Sequence, residues 1–221
     1  MRRWAAIAGF VFVVLAVVSR AVRGNIPDPG SNKVDALAKY TKFYADKSHN
    51  SHALVALVLG FIGLFAFAWF LGAVWSTLRN AEGGATMPTI IVAIGGAAFI
   101  ALGLAEHAFA DVMGITLHFS KGFREGGGFN AGTALLFNSL SFGIFMAAML
   151  AIGAATAAAG IVILRTRVWP VWLGWVGIAI AVLCLPVIPP LSLLGGLLLA
   201  VWTVAIGILL IRADLRESAA A

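Results

Sequence analysis

An all-α bundle of transmembrane helices with six spans is the fold class this sequence predicts. Three observations lead there. First, 62% of its 221 residues are hydrophobic and only 11% are charged, where a soluble domain carries about 25% charged residues. So few charges cannot cover so much apolar chain, and much of the exterior must face lipid. Second, six stretches are long and apolar enough for a spanning helix, which needs about 20 residues. Third, the Lys and Arg residues sit in short segments between those stretches, where they meet headgroups and set topology. The length suits one integral membrane domain over residues 1–221.

The six stretches are Trp4 to Val18 (extending toward Val22), Ala53 to Leu78, Pro88 to at least Phe109, Gly132 to Leu164, Pro170 to Leu185 and Leu191 to Ile211. The first has a second reading. Arg2 and Arg3, the apolar run from Ala5 to Val18, and Ser19-Arg20-Ala21 follow the order of a signal peptide. Cleavage there would leave five spans. Pro88 and Pro170 suit helix starts, where the missing N–H costs nothing. Trp169, Trp172 and Trp175 crowd the start of the fifth stretch as an interfacial aromatic belt does. The third and fourth stretches exceed the need of a hydrocarbon core about 30 Å thick, so they tilt or project beyond it. Between them, Gly126-Gly127-Gly128 marks a turn. Pro186, Pro189 and Pro190 make a tight link before the last stretch.

The one long polar segment runs from Arg23 to Asn50, outside the membrane. Its front, through Pro27 and Pro29, is irregular. Its back reads as an amphipathic helix capped by Ser31 or Asn32, with Val34, Leu37, Ala38, Thr41 and Ala45 on one face. Tyr40, Phe43 and Tyr44 add aromatic weight. That helix lies on the membrane surface, covers the bundle, or is a solvated connector.

Ionisable groups inside a span cost about 2.5–3.5 kcal/mol on insertion scales and usually face protein. The third stretch carries Glu106, His107, Asp111 and His118. His107, Asp111 and His118 are spaced by four and seven, so one helix puts them on a common face with Gly103 and Gly114. Glu106 points about 100° away. Asn138 and Ser141 of the fourth stretch reach a similar depth in an antiparallel pair, and His49 and His52 open the second stretch at the same end. Three readings follow. His52, His107 and His118 with Glu106 or Asp111 have the donor chemistry for zinc, copper, iron or haem. His107 beside Glu106 and Asp111 has the chemistry to relay protons or sense pH, as in a proton-coupled carrier. Or these residues, with Asn138 and Ser141, satisfy one another and fix helix register.

No motif names a reaction. Gly60-x-x-Gly63, Gly95-Gly96, Gly174-x-x-Gly177 and Gly195-Gly196 mark close helix packing rather than a phosphate loop. There is no nucleophile elbow and no basic, aromatic stripe suited to nucleic acid. Cys184 is the sole cysteine, so no intramolecular disulfide forms.

Several phrases carry a resemblance: Tyr40-Thr41-Lys42-Phe43-Tyr44-Ala45-Asp46 in the polar link, Trp169-Pro170-Val171-Trp172-Leu173-Gly174-Trp175-Val176-Gly177 after a basic turn, and the ending Leu209-Leu210-Ile211-Arg212. With this layout the chain resembles the uncharacterised multi-pass membrane proteins of high-GC actinobacteria, of the domain-of-unknown-function kind. The resemblance implies a bacterial source and carries no activity with it. The expectation is therefore a small non-catalytic protein of a bacterial cytoplasmic membrane with both termini cytoplasmic. Its partners are lipids and, as an accessory subunit, other membrane proteins. The metal- or haem-binding and proton-coupled readings stand as alternatives.

Overall fold

Long apolar runs free of interior proline have little choice but helix once water is removed, because every backbone N–H and C=O must then be met internally. The computed structural model, which describes residues 2–24, 33–120, 129–185 and 189–220, follows that rule. Its elements are α1 (Arg2–Arg23), α2 (Lys33–Ala45), α3 (Lys47–Ala81), α4 (Met87–Phe119), α5 (Ala131–Thr166), α6 (Val171–Leu183) and α7 (Pro189–Ala220). No strand occurs among the described residues. The expected turn at Gly126 to Gly128, the caps Ser31 and Asn32, the irregular front of the polar link and Pro186 lie outside them.

Five helices, α1, α3, α4, α5 and α7, are long and apolar enough to cross a membrane. The stretch from Pro170 to Leu185, expected as a sixth span, forms a helix of 13 residues. Such a helix rises about 20 Å, short of a hydrocarbon core of about 30 Å. Pro170 stands just before it, and its end tightens as the Leu185 N–H donates to the Val182 carbonyl (3.3 Å). The helix-bundle class holds, with five full-length spans and one short apolar helix.

The chain forms two units. Residues Met1–Val14, Gly63–Gly103 and Met146–Ala221 make the first, and Leu15–Ile62 with Leu104–Phe145 make the second. In the first unit, Phe12 of α1 meets Phe67 of α3 at 4.6 Å between ring centroids, and Phe67 meets Phe99 of α4 at 5.3 Å. The Trp202 indole N–H on α7 donates to the Leu173 carbonyl of α6 (3.0 Å). Arg3 Nε lies 2.7 Å from Asp214 Oδ2. The start of α1 thus meets the end of α7. Trp172 and Trp175 are exposed as a belt demands, while Trp169 is buried.

Glycines set the closest approaches. A Cβ on Gly177 would stand 2.6 Å from the Thr156 carbonyl oxygen, and one on Gly95 2.7 Å from that of Ala151. Backbone cannot step aside as a side chain can, so α5 comes this near to α6 and α4 only because those positions lack a side chain. The α3–α4 link needs Gly83, whose φ is +76°. There the Thr86 N–H donates to Thr89 Oγ1 (2.9 Å). This is the reciprocal half of a cap at the start of α4.

Two substitutions separate this packing from helix propensity. Replacing an interior glycine by alanine favours the helix by about 1 kcal/mol, and Gly72 has open space around it. Gly72→Ala should leave the unfolding midpoint in detergent unchanged or raise it. Gly177→Ala meets backbone and should destabilise by about 1–3 kcal/mol, the range for overpacking.

Candidate functional site: an arginine between two buried carboxylates

The second unit is built around one cation. Ser19, on the penultimate turn of α1, donates its hydroxyl to the Ala56 carbonyl of α3 (2.7 Å). That bond fixes the rotation of α1, and Arg23, four residues on, therefore faces the same way. Gly24 follows with φ +73°, ending the helix in the left-handed conformation glycine adopts freely.

From this position the Arg23 guanidinium reaches two acids on α4. Its Nη2 donates to Asp111 Oδ2 at 2.8 Å and its Nη1 to Glu106 Oε1 at 3.2 Å. The side chains are nearly out of solvent, at 6% exposed for Arg23 and 1% for Asp111. Glu106 and Asp111 lie more than a turn apart on α4, and the planar fork of arginine spans them where a lysine ammonium could not.

His107 completes the group. Its Nδ1 lies 2.5 Å from Glu106 Oε2, but out of line for a hydrogen bond, so the buried nitrogen has no aligned partner among the described residues. The other edge of the ring rests on Gly60 of α3, where any Cβ would overlap Cδ2 and Nε2. Gly60 is thus the socket for the imidazole. One turn further, a Cβ on Gly114 would stand 2.6 Å from the Ala53 methyl, so α3 also closes on α4 there.

The helix α2 covers this unit. Tyr40, Tyr44, Met113, Leu117 and Ala134 form a buried cluster. Tyr40 accepts a hydrogen bond from Asn138 Nδ2 (2.6 Å). Asn50 Nδ2 donates to the Tyr44 carbonyl (3.3 Å), meeting one of the carbonyls that a helix end leaves free. Phe43 stacks on His49 with centroids 4.2 Å apart and planes 12° apart. Asp46, just before α3, accepts from the Ser48 N–H (2.9 Å) and hydroxyl (2.7 Å), and these bonds hold its carboxyl below the usual carboxylate range. Burial first, then the nearby Tyr40 and Asp111, push the Tyr44 phenol up, so it stays neutral through the physiological range.

The placement of the expected residues needs correction. Among the described residues no three His, Cys, Asp or Glu side chains gather as metal ligands. Of the set His52, Glu106, His107, Asp111 and His118, only the three central residues meet, and their carboxylates are turned to Arg23. His52 is exposed. His118 is exposed against Phe119, beside the buried Leu117. The expected face of α2 is also off: Thr41, Ala38 and Ala45 are exposed, while Ala36, Tyr40 and Tyr44 are buried. The rings carry more apolar area than the methyl-bearing residues, and area decides which face turns in. Asn138 bonds to Tyr40, and the Ser141 hydroxyl donates to its own helix at the Asn138 carbonyl (3.0 Å). Neither is bonded to the α4 acids. The cation was missed because Arg23 reads as a topology charge at the mouth of a polar link. The one available signal was Ser19 four residues earlier, a second polar group on the same face of an otherwise apolar helix.

No protein-family model, curated protein or solved structure matches the chain. The site must therefore be read from its own chemistry.

Removing one member of a buried ion pair leaves the others uncompensated, at a cost of about 3–5 kcal/mol. Arg23→Met should lower unfolding stability in detergent by about that much. Neutralising all three groups together, as Arg23→Met/Glu106→Gln/Asp111→Asn, should recover most of the loss. A triple variant no more stable than the single one would show that the ionic pairing is not what Arg23 supplies.

Proposed function

We propose that this chain is a non-catalytic, proton-responsive integral membrane protein whose sensing element is the set Arg23, Glu106, His107 and Asp111. The observation that carries this is a charge count. Arginine keeps its charge at any physiological pH. With Glu106 and Asp111 ionised and His107 neutral, the set carries one net negative charge. One proton, on His107 or on either acid, brings it to zero. A net charge in a low-dielectric interior is costly, so the neutral set suits the closed packing and the loss of that proton works against it. Histidine is the side chain that most readily changes charge between pH 5 and 8. Arg23 occupies the acids that a metal would need, which favours proton chemistry over the metal- or haem-binding alternative.

The proposal places the protein in a bacterial cytoplasmic membrane with both helix ends of the Arg3–Asp214 pair inside. Arg2, Arg3, Arg212 and Arg216 stand close to those ends, as the positive-inside rule favours. It acts among lipids, alone as a proton-coupled carrier or as the pH-responsive subunit of a larger membrane assembly.

The test reads α2, which packs over the set through Tyr44. Hydrogen–deuterium exchange of residues 33–45, corrected for the intrinsic pH dependence, should show protection falling as pH rises from about 5 to 8, the window in which histidine ordinarily changes charge. In His107→Gln the profile should be flat. The same slope in both proteins would defeat the proposal.

A further inference from the structure

The set has an approach from water. A narrow cleft in the second unit is lined by Arg23, Phe43, Tyr44, His49, Ala53, Ala110, Asp111 and Gly114, with about 10 Å³ of space for water. That is about the room a single water molecule needs. His49 is half-exposed at this cleft, and Asp111 is buried in it. Arg23 Nε, a buried donor on a side chain only 6% exposed, has no hydrogen-bond partner among the described residues. A buried donor left unmet is costly, and a water oxygen is an acceptor small enough for the cleft.

We propose that this cleft is a water site and the doorway through which the set exchanges its proton, with His49 as the group that hands the proton in. The inference rests on the proton-responsive reading above. His49 Nδ1 lies 3.1 Å from the Phe43 carbonyl oxygen. A carbonyl only accepts, so Nδ1 carries the hydrogen and Nε2 is left as the basic nitrogen. When a proton enters, the Nε2–H bond of the imidazolium breaks toward the water oxygen while an O–H bond of that water breaks toward an Asp111 oxygen. His49 ends neutral, the water is restored, and the set gains one positive charge. From Asp111 the proton is shared with Glu106 and His107.

Each neighbouring element fits this route. From α1 comes Arg23, from α2 the phenol of Tyr44, which stays neutral and so passes no net charge. Asp46 precedes α3 with its Oδ2 3.7 Å from His49 Nδ1 at the mouth. The α4 groups are Glu106, His107 and Asp111. The first half of α5, residues 131–145, contains no charged residue.

Time-resolved infrared spectroscopy of the full chain in detergent, after a pH jump, tests the doorway. The carboxyl band of the set is the change that Glu106→Gln removes. In His49→Phe, which keeps the stack on Phe43, that band should reach its wild-type amplitude at least about tenfold more slowly, a modest loss for a general acid. Added imidazole should restore the rate, and His52→Gln should leave it at the wild-type value. An unchanged rate in His49→Phe overturns the doorway and leaves the proton-responsive reading intact. Equal slowing in His52→Gln also overturns it, because surface buffering would then explain the effect. No band change in the wild type overturns the doorway to Asp111, while the exchange profile of residues 33–45 decides the proton-responsive reading separately.

Discussion

Arg23 is the constraint around which the second unit is arranged. A guanidinium this deeply buried is tolerable only when its charge is met, and meeting it takes two acids on neighbouring turns of α4, Glu106 and Asp111. Those acids would themselves be intolerable in an apolar interior without it. Each group is the reason the others can be there. The geometry that joins them depends on small features elsewhere. Ser19 sets the rotation of α1, Gly24 ends that helix immediately beyond the arginine, and Gly60 leaves space for His107 beside Glu106.

The same arrangement explains why α2 folds back. A polar link of this length could have stayed in water. Instead Tyr40 and Tyr44 bring large rings to Met113, Leu117 and Ala134, and Asn138 and Asn50 meet polar groups that those rings and their backbone bring with them. The cover shields the ion set from bulk solvent and leaves the narrow opening at His49. Shielding strengthens every charge interaction beneath it, so the electrostatics of the set and the packing of α2 are linked. That linkage gives a change of one proton a structural consequence.

Much of this was legible in the sequence, and the part that was not has a physical reason. Hydropathy and length found every long helix, because lipid leaves the backbone no alternative to helical hydrogen bonding. The heptad-like spacing placed His107, Asp111 and Gly114 on one face, and α3 does close on that face at Gly60 and Ala53. Spacing along one helix says nothing about what a different helix brings to it. Arg23 therefore escaped notice as a partner, and Glu106, pointing 100° from His107, looked separate until a forked cation bridged it to Asp111. His118 was grouped with His107 and Asp111 by the same spacing, and His52 by side of the membrane alone. They proved exposed because each lies on an outward face of its helix, while their neighbours Asn50, Ala53 and Leu117 are buried. The stretch from Pro170 to Leu185 gives only the short α6 because apolar residues continue past Leu183, where the helix itself stops.

The central claim is that one guanidinium is shared by two carboxylates. Solid-state NMR on lipid-embedded protein, with labelled arginine and with labelled aspartate or glutamate, measures it directly. The account predicts that Arg23 shows nitrogen-to-carboxyl couplings to both Asp111 and Glu106, corresponding to salt-bridge contact at about 4 Å or less between nitrogen and oxygen. Each coupling should vanish in Asp111→Asn or Glu106→Gln respectively. An Arg23 with no coupling to either acid, or with water as its only neighbour, would contradict it.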